Sequence, residues 1–511
     1  MEFLNTFWSL VPAIVAILLA LITKEVYSSL FIGIVAGGLL YSSFNISAAM
    51  EHIFVDGMIG QLSDSWNVGI LVFLVILGSM VMLMNRAGGS SAFGKWAATH
   101  VKTKAGAQVA TIVLGIMIFI DDYFNCLTVG SVMRPLTDKQ GISREKLAYL
   151  IDATAAPICI IAPISSWAAA VTGFVDGANG LSLFVRAIPY NFYALLTLVM
   201  MFAITYMNFD YGPMQKVELK HMADAAEKKK KKAAASLTGS EDQPHPPVAQ
   251  NGKVIHLLLP IIALIICCVI GMIYTGGFFE GASFIDAFSN SDASVGLVYG
   301  SVVALIITIV FYLCTKVLSF SECMNAIPEG FKSMVPAILV LTFAWTLKSM
   351  TDSLGAAEYV GGLVANVADN HALMSLLPAL VFLVGIFLAF ATGTSWGTFG
   401  ILIPIVVNVF GGNINNELMI IAISACMAGA VCGDHCSPIS DTTIMASAGA
   451  QCDHIRHVST QLPYAFTVAG VSLVSYIISG FVRNWAICLL IGIILMIGTL
   501  IVIKNFSAKR N

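Results

Sequence analysis

Charged side chains are scarce in this chain of 511 residues: Asp, Glu, Lys and Arg make up only 11% of it, and the formal net charge is −3. A soluble domain typically carries about a quarter charged residues, so the chain has too little charge for a water-exposed globular surface. The same scarcity excludes a disordered tail, and a nucleic-acid binder would need a basic face that is missing here. The sequence therefore predicts a protein whose surroundings are membrane lipid.

The sequence also predicts neither a disulfide framework nor a signal peptide. Its eleven cysteines are odd in number and lie mostly within apolar runs, so no disulfide pairing is expected. The first 23 residues lack the basic start and the cleavage site of a signal peptide, which predicts an uncleaved membrane span.

Long apolar segments dominate instead, because 58% of the residues are hydrophobic. A transmembrane helix needs about 20 mostly apolar residues. Such spans are predicted near 6–23, 26–43, 66–85, 146–172, 184–207, 254–274, 294–315, 334–350, 417–449, 460–482 and 485–503. Two more apolar stretches, 105–135 and 373–412, are too long for one crossing and are interrupted by polar residues, so each predicts a re-entrant hairpin.

The basic residues predict the orientation, since cytoplasmic loops are enriched in Lys and Arg. With the N-terminus outside and both long stretches treated as hairpins, 23 of the 26 basic residues lie inside, and Arg186, Lys348 and Arg483 lie outside. Treating 105–135 as a simple crossing would divide its flanking basic residues between the two sides. The C-terminus is accordingly predicted to be cytoplasmic.

Three sequence landmarks recur in the same order in the two halves of the chain. The pairs are Thr128-Val129-Gly130 with Thr398-Phe399-Gly400, Pro163-Ile164-Ser165 with Pro438-Ile439-Ser440, and Ile188-Pro189-Tyr190 with Leu462-Pro463-Tyr464. Each repeat unit contributes four crossings and one span separates the units, so the second is predicted to be inverted. The predicted fold is an all-α polytopic membrane protein with about 11 transmembrane helices and two re-entrant hairpins in two inverted-topology repeats, an architecture typical of secondary transporters.

This pattern divides the chain into six parts. They are an N-terminal helix at 1–25, a first repeat at 26–207, a linker at 208–253, a connecting helix at 254–274, a second repeat at 294–482, and a C-terminal helix and tail at 485–511. The linker carries the run Lys228–Lys232 and several prolines. It is interpreted as a solvated cytoplasmic connector, with binding to anionic lipid as the alternative.

Polar clusters interrupt the apolar segments at matching places in the two halves. Unpaired backbone groups survive at membrane depth only where they line a protein cavity. Pro163 and Pro438 each free a carbonyl one turn earlier, and Ser, Thr and Asp add the oxygen ligands that Na⁺ prefers. These breaks therefore predict sites for a coupling ion.

Acidic residues in lipid are functional candidates by default. Asp121 and Asp122 follow Lys104 by a helical rise of roughly 24 Å, which places them deep in the membrane. Two adjacent carboxylates repel each other, so one could exchange a proton for Na⁺. The alternative is pairing with a basic residue or capping of the hairpin tip. The same two interpretations, functional and structural, apply to Asp434 and Asp441.

Other residues at the breaks allow more than one interpretation. Trp167 and Trp396 could form a cavity wall or pack against neighbouring helices. His435 is interpreted as a protonation switch or a hydrogen-bonded buried residue. A zinc site formed by Cys432, His435 and Cys436 with Asp434 would serve an intramembrane metal-dependent hydrolase. Such a site needs four ligands in a tetrahedral array and stays a remote alternative.

The segments Gly393-Thr394-Ser395-Trp396-Gly397-Thr398-Phe399-Gly400 and Gly433–Thr443 resemble the NhaC-type Na⁺/H⁺ antiporter family, and the likeness extends over roughly 26–482. The resemblance implies the ion-transporter superfamily fold, a homodimer and an elevator mechanism. It also implies a multi-pass protein of a bacterial inner membrane that is not an enzyme, has no cofactor, and uses Na⁺ and H⁺ as coupling ions. Relatives of this family include malate/lactate exchangers, so a carrier of a small organic acid or amino acid is the alternative function.

The resemblance and the polar breaks together select the candidate ion- and substrate-binding residues. They are Asp121, Asp122, Asn125, Thr128, Ser165 and Ser166 in the first half, and Thr394, Ser395, Trp396, Thr398, Asp434, His435, Ser437, Ser440, Asp441 and Thr442 in the second. The candidates for Na⁺ itself are Asp121, Asp122, Ser395, Asp434, Ser437 and Asp441.

Overall fold

The described part of the computed structural model is helical throughout and contains no strand. It comprises residues 3–23, 25–119, 122–163, 165, 167, 171, 180–224, 252–356, 358–359, 362, 374–410 and 416–508. Within these residues, eight helices are long and apolar enough to cross a membrane, and a pair bent by 43° within 320–353 makes up to nine. The predicted class of all-α polytopic membrane protein is confirmed. The number of crossings, the re-entrant hairpins and the inverted repeat stay predictions.

The helices follow the apolar segments closely. Their bounds are Val11–Thr23, Val26–Tyr41, Ile46–Glu51, His52–Ile59 (a π-helix), Gly60–Ser63, Ser65–Arg86, Gly89–His100, Lys104–Met117, Asp122–Lys139, Arg144–Asp152, Ala156–Cys159, Gly180–Ala187, Phe192–Met207, Ile255–Thr275, Phe284–Ser289, Ala293–Cys314, Phe320–Ser353, Leu377–Thr392, Ser395–Val409, Glu417–Cys436, Asp441–Ala450, His454–Phe481 and Trp485–Ala508. Short 3₁₀ turns lie at Phe7–Leu10, Ile188–Tyr190, Phe278–Glu280 and Met374–Leu376.

Several helix boundaries differ from the predicted spans because capping residues set them. The span expected at 334–350 is the end of a longer helix that begins after Ser319, whose side chain forms a capping box with Glu322. The span expected at 460–482 begins earlier, because the Asp453 side chain accepts from the Arg456 amide. Hydropathy alone misses such extensions, since the added turns are polar.

The predicted linker 208–253 is not a simple solvated connector in its described part. Residues 212–224 are helical, and the Glu218 carboxylate pairs with Lys104. The Asp210 carboxylate lies 2.5 Å from the ammonium of Lys146, which is 1% exposed. The start of the linker therefore packs against the helical bundle, and the lysine run lies outside the described residues.

Ion pairs join residues that the orientation argument groups on one side. Arg86 pairs with Glu329 at 2.5 Å, and Arg456 pairs with Glu145 at 2.5 Å. On the side predicted to be outside, Arg186 lies 3.3 Å from Glu417. These contacts agree with the grouping, while the assignment of either face to the cytoplasm stays a prediction.

The span predicted at 417–449 is two helices separated by a break at residues 437–440. The helix before the break packs into one large hydrophobic core and the helix after it packs into another. The second helix lies against Asp122–Lys139 through two glycines: a Cβ on Gly130 would meet the Gly449 carbonyl carbon at 2.4 Å. The break therefore lies between the two hydrophobic cores.

Candidate functional site

The break in the interrupted helix exposes backbone and side-chain oxygens inside the protein. Ser440 caps the following helix by accepting from the Thr443 amide at 3.3 Å. The Ser437 hydroxyl donates to the Phe390 carbonyl at 2.8 Å, which fixes the break against helix Leu377–Thr392. Both serines are fully buried. A conformation that would be unfavourable in lipid is thus enclosed by protein.

The carboxylate of Asp434 accepts hydrogen bonds from hydroxyl groups beside this break. Ser395 Oγ lies 2.9 Å from Asp434 Oδ2, and Thr442 Oγ1 lies 3.4 Å from the same oxygen. Thr442 Oγ1 is also 2.9 Å from Ser440 Oγ. The structure therefore brings together four predicted site residues from three separate segments.

Asp434 is 2% exposed, and its Oδ1 has no hydrogen-bond partner among the described residues. None of the ion pairs found in the described part of the chain joins it to a lysine or arginine. An isolated buried carboxylate is very unfavourable unless it is protonated or accompanied by a cation. The arrangement is suited to hold either a proton or a small hard cation.

Asp441 connects this site to the first half of the chain. Tyr123 OH donates to Asp441 Oδ2 at 2.5 Å, and the Thr442 amide donates to Asp441 Oδ1 at 2.9 Å. Cys126 Sγ lies 3.6 Å from the Thr442 carbonyl. The tip of the first predicted hairpin thus contacts the helix that follows the break.

A cavity of about 480 Å³ adjoins Asp441. Its lining combines three tryptophans, one tyrosine, two amides and groups of both charges. These residues include Trp66, Trp345, Trp396, Tyr123, Gln61, Asn67, Asp64, Lys348 and Thr394. Trp396 both lines the cavity and packs against the ring of the buried Trp167, 5.9 Å away, so both interpretations offered for it apply.

Other predicted residues of the first half have local structural contacts. Asn125 Nδ2 donates to the carbonyls of Gly115, Ile118 and Thr154 at 2.7–3.0 Å, which closes the end of helix Lys104–Met117. Ser165 Oγ donates to the Cys159 carbonyl at 2.8 Å.

The remaining predicted residues divide into buried ones and ones not described. Thr128 and Asp122 are buried, and Thr398 Oγ1 donates to the carbonyl of Thr394 one turn earlier at 3.0 Å. Asp121 and Ser166 lie outside the described residues.

His435 points away from the hydroxyl-lined site. Its Nδ1 lies 2.8 Å from Tyr193 OH, and its Nε2 lies 4.0 Å from Asp152 Oδ2. The same oxygen lies 3.8 Å from His457 Nε2 and accepts a hydrogen bond from Gln461 Nε2 at 2.9 Å. Asp152, His457 and Gln461 form a second buried polar cluster with His435.

None of Asp152, His457, Gln461, Tyr123 and Lys348 is among the predicted site residues. Asp152, six residues past Lys146, is open from the sequence to either a functional role or a place at the inner interface. His457 and Gln461 also gave a signal, because they are four residues apart and share one face of an apolar helix. Lys348 gave no signal, since only the packing of helix Phe320–Ser353 brings it to the cavity.

No group of three or more His, Cys, Asp or Glu side chains suited to a metal ion is found where the structure describes the chain. The zinc-dependent hydrolase considered for Cys432, Asp434, His435 and Cys436 therefore gains no support from the geometry. His435 and Asp434 adjoin different clusters.

Comparison with known proteins agrees with the transporter interpretation. The sequence model described as the Na⁺/H⁺ antiporter family matches residues 168–481. An uncharacterized protein of Haemophilus influenzae is 38% identical over 502 residues, covering 94% of this chain and 92% of its own length.

Two further relatives match about a third of the chain. The malate-2H⁺/Na⁺-lactate antiporter of Bacillus subtilis is 28% identical over 169 residues, 32% of this chain and 34% of that protein. An uncharacterized Na⁺/H⁺ antiporter of Haemophilus influenzae is 28% identical over 166 residues, 32% of this chain and 33% of that protein.

Proposed function

Because the chain belongs to the Na⁺/H⁺ antiporter family and is a transporter rather than an enzyme, we propose that it exchanges Na⁺ for H⁺ at the Asp434 carboxylate. In one state the carboxylate binds Na⁺, and in the other it carries a proton. The exchange follows from the energetics of a buried charge, since the anion needs one of the two cations at every stage.

The observation that carries the proposal is the surroundings of Asp434. Its carboxylate is buried, receives hydrogen bonds from Ser395 and Thr442, and lies beside the oxygens of the helix break. Hydroxyl, carbonyl and carboxylate oxygens are the ligands that hard cations prefer. When Na⁺ approaches, the hydroxyl groups can rotate so that the lone pairs of their oxygens face the cation.

Alternating access by an elevator-type movement is the proposed mechanism. The mobile part would contain the interrupted helix and the two predicted hairpins, which share the Asp434 and Asp441 contacts. Helices Ser65–Arg86 and Phe320–Ser353 would belong to the scaffold, since they approach closely where a Cβ on Gly78 would meet the Gly330 carbonyl oxygen at 2.6 Å. A homodimer in a bacterial inner membrane, with the C-terminus in the cytoplasm, completes the proposal.

A second candidate function is cation-coupled exchange of a small organic acid or amino acid. The cavity of about 480 Å³ beside Asp441 supports it, because Lys348 supplies a positive charge and the tryptophans supply apolar walls. The partial similarity to a malate-2H⁺/Na⁺-lactate antiporter points to the same class of solute.

Flux measurements in proteoliposomes test the primary proposal. With an imposed pH gradient and no organic solute, the purified wild-type protein is expected to take up radioactive Na⁺, and Asp434→Asn is expected to reduce uptake to the background of empty vesicles. Asp56→Asn is the matched control, since that carboxylate is on a side chain that is 63% exposed.

Two results would contradict simple Na⁺/H⁺ exchange at Asp434. Wild-type uptake that requires an added organic acid or amino acid would favour the second candidate function. Uptake by Asp434→Asn at the wild-type rate would show that Na⁺ binds at a site other than Asp434.

A further inference from the structure

We infer that Asp152 and His457 form a second proton-binding site, separate from the Asp434 carboxylate, whose proton Na⁺ does not displace. The inference rests on the proposed exchange of Na⁺ for H⁺ and adds a distinct place for a coupled proton. Its evidence is the geometry of a buried cluster built from three helices.

Asp152 ends helix Arg144–Asp152 and is 1% exposed, while His457 is fully buried on helix His454–Phe481. His457 Nε2 lies 3.8 Å from Asp152 Oδ2, and His435 Nε2 lies 4.0 Å from the same oxygen. Neither Nε2 atom has a hydrogen-bond partner among the described residues. Two imidazole nitrogens therefore face one carboxylate oxygen in a site closed to solvent.

A series of hydrogen bonds limits where the hydrogen of neutral His457 can lie. The Pro438 carbonyl can only accept, so His454 Nε2, at 2.7 Å, donates to it. In neutral His454 the Nδ1 atom is then an acceptor, and Ser447 Oγ lies 3.0 Å from it. Ser447 has one hydrogen, which it can give to that nitrogen, to the Thr443 carbonyl at 2.8 Å, or to His457 Nδ1 at 2.8 Å.

In the first two cases the Ser447 oxygen accepts from His457 Nδ1, and neutral His457 presents the lone pair of Nε2 toward Asp152 Oδ2. In the third case His457 carries its hydrogen on Nε2, which then faces the Asp152 carboxylate as a donor. The first arrangement is the one that can take up a further proton between the two side chains. Two acceptors that face each other repel, and one proton between them removes the repulsion. The site is thus built to hold a proton, either on the carboxyl oxygen or on the imidazole.

The proton can move between Asp152 and His457 without any other reactant. When Asp152 Oδ2 gives its proton to His457 Nε2, the neutral acid and neutral imidazole become a carboxylate and an imidazolium. Gln461 Nε2 donates to Asp152 Oδ2 at 2.9 Å and stabilises the charged carboxylate.

The helices packed around the pair carry further titratable groups. They are Tyr149 and Lys146 on its own helix, Asp434, His435, Cys432 and Cys436 on the interrupted helix, Asp441 after the break, His454 and Tyr464 beside His457, Tyr193 on Phe192–Met207, Lys104 on Lys104–Met117, and Asp122, Arg134, Asp138 and Lys139 on Asp122–Lys139. Lys146 is engaged by Asp210, Lys104 by Glu218, and Asp138 by Arg144. No ion pair with lysine or arginine compensates Asp152 in the described structure.

The chemistry of the cluster suits a proton better than Na⁺. Imidazole nitrogens are poor ligands for Na⁺, which prefers oxygen, whereas histidine exchanges protons near neutral pH. The hydrogen bonds that run from His457 through Ser447 and His454 end on the Pro438 carbonyl inside the helix break. The protonation state of His457 therefore acts on the backbone beside the cation site. This link gives the second proton a route to influence transport.

The test compares Asp152→Asn, His457→Gln and Asp434→Asn in the purified full-length protein. Na⁺-dependent thermal stabilisation reports cation binding, and proteoliposomes with radioactive Na⁺ and an internal pH dye report both fluxes. For Asp152→Asn and His457→Gln we expect an Na⁺ affinity within about 2-fold of wild type, a flattened rate profile between about pH 6 and 8, and fewer protons moved per Na⁺.

Two outcomes would overturn the inference: a wild-type pH profile with unchanged proton stoichiometry in the folded variants, or loss of Na⁺ binding as complete as in Asp434→Asn. His457→Gln keeps an amide that can donate to Ser447, so it carries the test if Asp152→Asn fails to fold. Normal Na⁺ binding by Asp434→Asn would instead refute the proposed cation site, and the two failures are therefore distinguishable.

Discussion

Asp434 and Asp152 are both buried carboxylates in the interior of the helical bundle, yet different atoms surround them. Asp434 receives hydroxyl groups and lies beside oxygens released by the helix break. Asp152 faces two imidazole nitrogens and one amide. Oxygen-rich surroundings favour a metal cation, and nitrogen acceptors favour a proton. Similar burial therefore leads to different ion preferences, and four substitutions test that difference.

The largest effect is expected from Asp434→Asn. Removing one member of a buried charge pair typically costs about 3–5 kcal/mol, which corresponds to a loss of Na⁺ affinity of at least about 100-fold. Na⁺ would then no longer raise the midpoint of thermal unfolding. Asp56→Asn should keep the wild-type response, and a retained Na⁺ response in Asp434→Asn would contradict the difference between the two carboxylates.

Ser395→Ala should weaken Na⁺ binding by about 10- to 100-fold, since a hydrogen bond or ligand contact to a charged group contributes about 1.5–3 kcal/mol. The pH profile should keep its shape because Ser395 does not contact Asp152. Ser479→Ala is the matched control: its hydroxyl is equally buried and donates to the Tyr476 carbonyl of its own helix. Equal Na⁺ affinities in the two variants would argue against Ser395 as a ligand.

Gln461→Leu changes the cluster that contains Asp152 and His457. The amide of Gln461 donates to charged Asp152, so its removal favours the protonated carboxyl and should move the half-maximal point of the transport rate to higher pH. The expected displacement is about 1 pH unit, from a hydrogen bond of about 1.5 kcal/mol. Rate measurements across pH check this, and a shift to lower pH or a 10-fold loss of Na⁺ affinity would contradict it.

Tyr123→Phe should have the smallest effect. The hydroxyl of Tyr123 holds Asp441 from the first half of the chain, but Asp441 also accepts from the Thr442 amide. We expect a reduction of Na⁺ affinity of about 3- to 10-fold, from about 1 kcal/mol for one net hydrogen bond. Thermal titration with Na⁺ measures it, and a complete loss of binding would place Tyr123 in the cation site itself.

The structure brings several of the predicted second-half residues together and gives those of the first half separate contacts, while the role of both sets in ion binding stays a prediction. Ser395, Asp434, Ser440 and Thr442 were selected because polar residues interrupt apolar segments, and the structure joins them by hydrogen bonds. Asn125 belongs to an equally polar interruption, but its amide closes a helix end. A polar break marks buried hydrogen-bonding groups, and it does not distinguish a ligand from a structural partner.

The difference between the predicted linker 208–253 and the structure also comes from contacts that are distant in sequence. The described start of the predicted linker packs against the bundle because Asp210 and Glu218 find Lys146 and Lys104. Composition describes such a segment as solvated, since each residue is counted by itself and its partner lies far away in the chain.

The sequence by itself determined that this chain lies in a membrane, because low charge and long apolar runs decide the surrounding solvent regardless of packing. It also located the breaks around Pro438 and the scarce acids beside them. Only the tertiary structure brought Asp152 to His457, Tyr123 to Asp441 and Lys348 to the cavity. Those contacts cross between helices, and they arise because buried polar groups must find partners that local periodicity does not specify.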